Sequence, residues 1–170
     1  MKSKENLIFV GMMGSGKSSI GLLVAKKLNL DFIDIDKEIE KELGISIKKI
    51  FETKGEDYFR KFEEKITLKK LKLKSMVISI GGGAFVNKDI RNEVLKNNIS
   101  FWLNWKNEIL LNRIKNSKKR PLAINSTDTE IINLIKKRNN IYSKALYEIK
   151  CDNLSKNEIV KTILEIYETN

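Results

Sequence analysis

The sequence predicts an α/β domain: a three-layer arrangement with a five-stranded parallel sheet and helices on both faces. Three observations carry that expectation. Short apolar runs alternate with helical patterns along the whole chain, and a glycine-rich loop joins the first run to the first helix. Chemistry-bearing residues also fall just past the ends of the predicted strands, where open α/β sheets bind their ligands.

Strands are expected over 6–10, 31–35, 76–80, 99–103 and, weakly, 147–151, each a run suited to burial in a parallel sheet. The first helix follows from Ile20, Leu23, Val24, Lys27 and Leu28, and a second runs through Ile39 and Leu43. Segment 46–73 reads as two helices broken near Gly55, with Ile50, Phe51, Phe59, Phe62, Ile66 and Leu71 turned inward. Thr127 with Glu130, and Ser155 with Glu158, have the spacing of capping boxes and open the last two helices. With 170 residues, 41% of them hydrophobic, and one proline, a single domain over 1–170 is expected.

Composition narrows the chemistry. There is no histidine and only one cysteine, Cys151, so zinc clusters, histidine bases, Ser-His triads and internal disulfides are excluded. No run of apolar residues is long enough to span a membrane and no secretory leader is legible, so a cytoplasmic protein without membrane contacts is expected. The net charge of +11 invites a nucleic-acid reading, but only five of 33 basic residues are arginine and the lysines are spread over every segment. A solvated lysine surface accounts for that, one that still draws multiply charged anions such as ATP; no nucleic-acid partner is expected.

Residues 11–18, Gly-Met-Met-Gly-Ser-Gly-Lys-Ser, match the phosphate-loop pattern G-x-x-x-x-G-K-[ST] between a strand and a helix. Glycines at Gly11, Gly14 and Gly16 let backbone N–H groups converge on phosphate oxygens, and Lys17 is aimed at the β/γ-phosphates. Ser18 is a candidate magnesium ligand, and Ser15 and Ser19 complete the nucleotide-binding set. The alternative is a chance glycine turn, against which the strand–helix context argues.

At the tip of the second predicted strand, Asp34 and Asp36 would share one side. Two close carboxylates call for a cation, which gives Asp34 to the magnesium of bound ATP or its water shell and Asp36 to a substrate hydroxyl. Asp36 as N-cap of the following helix is the plainer alternative, and the two roles are compatible. Gly81-Gly82-Gly83, after the third strand, offers a surface without side chains to a small ligand; a flexible turn is the bland reading. Because no aspartate follows that strand, Asp34 takes the metal duty, with Ser79 as a helper.

Scarce arginines mark positions where planar, bidentate grip on carboxylate or phosphate is needed. Arg60 lies on a helix where Glu63, three residues on, is placed to hold it; Arg113 and Arg120 bracket a basic stretch, Arg138 lies in a late helix, and Arg91 reads as surface.

With these residues assembled, the chain resembles the shikimate kinases, of the nucleoside-monophosphate-kinase-like branch of P-loop proteins. The resemblance rests on the loop at 11–18, Phe32-Ile33-Asp34-Ile35-Asp36, Gly55-Glu56 with Phe59-Arg60 and Glu63, Gly81-Gly82-Gly83, Arg120-Pro121-Leu122, and Arg138 with Tyr142. It implies phosphorylation of the 3-hydroxyl of shikimate by ATP with Mg2+, a step toward chorismate and the aromatic amino acids; a monomer is expected, though oligomeric state is not legible in the sequence. It further implies a substrate-binding segment about 36–73 and a lid about 113–126. Asp36, Arg60, Gly81, Gly82, Gly83 and Arg138 would bind shikimate, with the two arginines on its carboxylate. Arg113 would lie against adenine, and Arg120 would neutralise the transferring phosphoryl group. Lys17, Asp36 and Arg120 are the catalytic set. Two alternatives stay open: a kinase of the same fold acting on another hydroxy acid such as gluconate, and a catalytically silent nucleotide binder.

Overall fold

A computed structural model describes residues 5–117 and 126–169 of the chain. Five parallel strands, β1 (Asn6–Val10), β2 (Asp31–Asp34), β3 (Met76–Ser79), β4 (Asn98–Asn104) and β5 (Tyr147–Lys150), form one sheet in the order β2-β3-β1-β4-β5. Every residue of β1 is buried, so both faces of the central strand are covered, which is what its unbroken apolar run dictates. Helix α1 (Lys17–Leu28) packs on β1, β2 and β3, and α7 (Lys156–Glu168) packs against it; α4 (Lys88–Asn97) lies on β4 and meets α3 (Ile47–Leu71). Helices α2 (Ile35–Leu43), α5 (Asn107–Lys115) and α6 (Asp128–Tyr142) are the remaining helices among the described residues.

Register brings the strand tips level. Asp34 pairs with Ser79, and Ser79 with Phe9, so the ends of β2, β3 and β1 open onto one edge of the sheet. At the opposite end, buried Asn6 ties the strand starts together: its amide donates to the carbonyl of Leu73 (2.7 Å) and to Asn98 Oδ1 (2.9 Å), and accepts from the Met76 N–H (3.1 Å).

Both expected capping boxes form, at Thr127 with Glu130 and at Ser155 with Glu158. Helix α3 contains the expected break: Gly55 has φ 80 and ψ 171 inside an otherwise continuous run, so two helices meet there at an angle. One boundary differs from expectation. β2 stops at Asp34, and Asp34 rather than Asp36 is the N-cap of α2, its carboxylate accepting from the Lys37 N–H at 3.3 Å. Ile35 satisfies a strand pattern and a buried first helical position equally, and helix capping decides between them. Arg91 also departs from the surface reading. It is half-buried, and its guanidinium donates to the carbonyls of Phe85 and Val86 in the short 3-10 turn that follows the glycine run.

Candidate active site

The phosphate loop leaves β1 and turns directly into α1. Gly16, the N-cap of α1, sits at φ 89 and Gly14 at φ 80, left-handed conformations that a side chain would oppose. Lys17 is only 7% exposed; its ammonium donates to the carbonyls of Gly11 (2.9 Å) and Met12 (3.0 Å), folding the side chain back over the loop. A cavity of about 240 Å³ opens beside it, lined by Gly14, Gly16, Lys17, Ser18, Ser19, Asp34, Asp36 and Ser79. This is a set of backbone N–H groups, one ammonium, hydroxyls and two carboxylates, which suits a polyphosphate with a hard cation. No group of three or more Asp, Glu, Cys or His is placed to cage a metal among the described residues. The Ser18 hydroxyl and the Asp34 carboxylate are hard oxygen donors of the kind that hold magnesium together with phosphates.

A second cavity shares Asp36 with the first. Its other walls are Met13, Ile47, Phe51, Phe59, Arg60, Glu63, the run Gly81-Gly82-Gly83, and Arg138. Asp36 is in the first turn of α2 and not in a strand, so it reaches this place by a helical start instead of the expected side-by-side pairing with Asp34. The Arg60 guanidinium is held on two sides: Nη1 donates to Glu63 Oε2 at 2.7 Å, and Nη2 to Glu56 Oε1 at 3.1 Å. Burial works against that charge, but the two carboxylates outweigh it and raise the Arg60 pKa, so the cation is permanent. Arg138 is 8% exposed, with Nη1 3.6 Å from the Met12 sulfur.

The glycine run owes its composition to close approach. A methyl group on Gly83 would strike the Arg60 guanidinium, and one on Gly81 would meet the Glu63 carboxylate and Asp36. The Tyr142 hydroxyl donates to the Gly82 carbonyl and fixes the turn from below. Burial pushes this phenol up to about 12, so it stays a donor at any physiological pH.

A third cavity, about 300 Å³, lies across the loop and is lined by Gly14, Gly16, Ser19, Ile20, Trp105, Arg113, Leu154, Lys156 and Ile159. Arg113 is exposed, stacks on the Trp105 ring and donates to the Gly14 carbonyl at 3.3 Å.

The structure thus brings together Gly14, Gly16, Lys17, Ser18, Ser19, Asp34 and Asp36 at one cavity, and Asp36, Arg60, Gly81, Gly82, Gly83 and Arg138 at the next. Gly11 and Ser15 line none of the three cavities; the Ser15 side chain is buried inside the loop. Arg120 and the rest of Arg120-Pro121-Leu122 lie outside the described residues, as does most of the segment expected to form a lid. Sequence reasoning passed over Trp105, and gave no role to Glu56 or to the Tyr142 hydroxyl although both residues lie in motifs it used. It also read Phe51 and Phe59 as core alone, when both line the second cavity. Only Glu56 left a local signal, its i,i+4 spacing to Arg60.

A phosphate-loop sequence on one side of Asp36 and a guanidinium pair on the other place this fold among the P-loop kinases. A family model described as shikimate kinase matches residues 13–168. The chain is 41% identical over 160 residues to the shikimate kinase of Sulfurihydrogenibium sp. (strain YO3AOP1), covering 94% of this chain and 96% of that protein. It is 41% identical over 170 residues to the shikimate kinase of Bacillus subtilis (strain 168), covering 95% and 88%. A solved structure of shikimate kinase from Acinetobacter baumannii in complex with shikimate superimposes with a TM-score of 0.93 at 30% identity, over 99% of this chain and 96% of that one. The chain belongs to the shikimate kinase family.

Proposed function

We propose that this protein transfers the γ-phosphoryl group of ATP to the 3-hydroxyl of shikimate, yielding shikimate 3-phosphate and ADP, in the cytoplasmic route to chorismate and the aromatic amino acids. One observation carries the reading: Asp36 is a wall of both the phosphate-loop cavity and the arginine-lined cavity, so an acceptor gripped by its carboxylate is presented to the phosphate. In this reading Arg60 and Arg138 bind the substrate carboxylate, and the backbone of Gly82 and Gly83 contacts its ring. Asp36 orients the acceptor hydroxyl and accepts its proton late in a loose transition state. Lys17 and the loop N–H groups hold the β- and γ-phosphates. Magnesium held by Ser18 and Asp34 would neutralise phosphate charge. Arg120 adds positive charge at the transferring group, and Arg120→Ala is expected to lower kcat more than it raises either KM. The described walls of both cavities come from one chain, so a monomer is taken as the acting unit.

An ADP-release assay with shikimate and gluconate side by side tests the assignment. Preference for shikimate is expected; equal or reversed preference overturns it.

A further inference from the structure

We propose that Trp105 is a positioning residue of the nucleotide half-site: anchored to the phosphate loop, its indole holds the Arg113 guanidinium flat, so that the opposite guanidinium face receives the nucleotide base. The inference rests on the reading of Arg113 as the base contact and adds the residue that makes such a contact rigid.

Trp105 follows the last residue of β4 and is 8% exposed, and its ring normal is taken up by Arg113, whose Cζ lies 3.8 Å from the ring centroid. The indole N–H donates to the Ser15 carbonyl at 2.9 Å. Arg113 in turn donates to the carbonyl of Gly14, the preceding loop residue. Two adjacent loop carbonyls are therefore tied to two stacked planar groups. Another apolar side chain at 105 would fill the space, but only an indole supplies both a broad face and a donor aimed at the loop. The cavity that both Trp105 and Arg113 border also has Ile20, Leu154 and Ile159 in its walls, with Lys156 beside them; its apolar part suits a flat heterocycle. An exposed arginine that waits in its binding rotamer loses less freedom when the base arrives, so the stack favours the nucleotide by preorganisation.

The test combines kinetics with emission. Trp105→Leu is expected to raise KM for ATP about two- to fivefold, the range of an exposed cation–π contact, with KM for shikimate unchanged. Trp105→Phe, which keeps a ring but loses the N–H, falls between. Inhibition by inorganic tripolyphosphate, which has no base, is expected to stay as in the parent in both variants. Since Trp105 acts through Arg113, Trp105→Leu combined with Arg113→Ala should be no worse toward ATP than Arg113→Ala alone. In a Trp102→Phe background, where Trp105 is the sole tryptophan, ADP should change the emission. An unchanged KM for ATP in both Trp105 variants, alongside a raised one in Arg113→Ala, overturns the role of Trp105 and leaves Arg113 as the base contact. An unchanged KM in Arg113→Ala overturns that underlying reading as well. Additive losses, or equal damage to tripolyphosphate and shikimate binding, would make Trp105 merely structural and overturn the proposal.

Discussion

Glu63 is 2% exposed; one carboxylate oxygen accepts from Arg60, while the other faces Gly81, buried with no hydrogen-bond partner among the described residues. Burial pushes its pKa up, the Arg60 charge opposes this, and nearby Asp36 adds to the rise. The folded protein therefore holds this proton more tightly than the unfolded chain. Its contribution to stability is present below the ordinary glutamate value and is lost as pH rises through the higher folded one. Thermal melts of the parent and Glu63→Gln across the acid range should show the parent losing ground to the variant as pH rises; a constant difference would contradict the shift. Arg60 supplies the companion prediction. Arg60→Lys keeps the charge but cannot span Glu56, Glu63 and a substrate carboxylate together. KM for shikimate should rise about tenfold or more, in line with losing a charged hydrogen bond of about 1.5–3 kcal/mol, with KM for ATP near the parent value; a defect confined to ATP would remove Arg60 from the substrate site. The Arg60–Glu63 pair was legible from i,i+3 spacing. The orphaned oxygen was not, because it depends on Gly81, in the turn after β3, packing against helix α3.

At the scale of elements, the bend in α3 decides the shape of the arginine-lined cavity. Ile47 and Phe51 precede Gly55, Phe59 and Arg60 follow it, and all four line one cavity, with the Phe51 and Phe59 ring centroids 4.8 Å apart. A methyl group at Gly55 would meet nothing within 4 Å, so space does not require glycine there; its φ of 80 with ψ of 171 does. Gly55→Ala should cost about 1–3 kcal/mol, the strain of a region closed to side chains. Calorimetry should show Tm falling by several degrees, at about 2–4 °C per kcal/mol for a chain of this size. KM for shikimate should rise too as Phe51 swings away, and an unchanged Tm would show that the bend is not imposed by this residue. The break was readable because glycine interrupts a long helical pattern. The start of α2 was not, since Ile35 fits both periodicities and only the cap at Asp34 separates them.

For the whole molecule, the sheet order sets the division of labour. β1 delivers the phosphate loop, β2 and β3 deliver Asp36 and the glycine run, and α3 and α6 bring the two arginines to the same edge from elsewhere in the chain. That strands and helices alternate was plain from the sequence, and so was the loop; that Arg60 and Arg138 meet is a property of tertiary packing which no local spacing encodes. Two anionic ligands should then bind half-sites that share Asp36 but are otherwise separable. A ligand at a hundred times its Kd stabilises the folded state by about 2.7 kcal/mol, which for this chain length corresponds to about 5–11 °C in Tm. Arg60→Ala should lose most of the shift given by shikimate and keep that given by ADP. Lys17→Met should do the reverse, because Lys17 lines only the phosphate-loop cavity and Arg60 only reaches the acceptor side. If either variant lost both shifts while its unliganded Tm stayed at the parent value, the two cavities would have to be one cooperative site, and the assignment of a carboxylate clamp distinct from the phosphate cradle would fall.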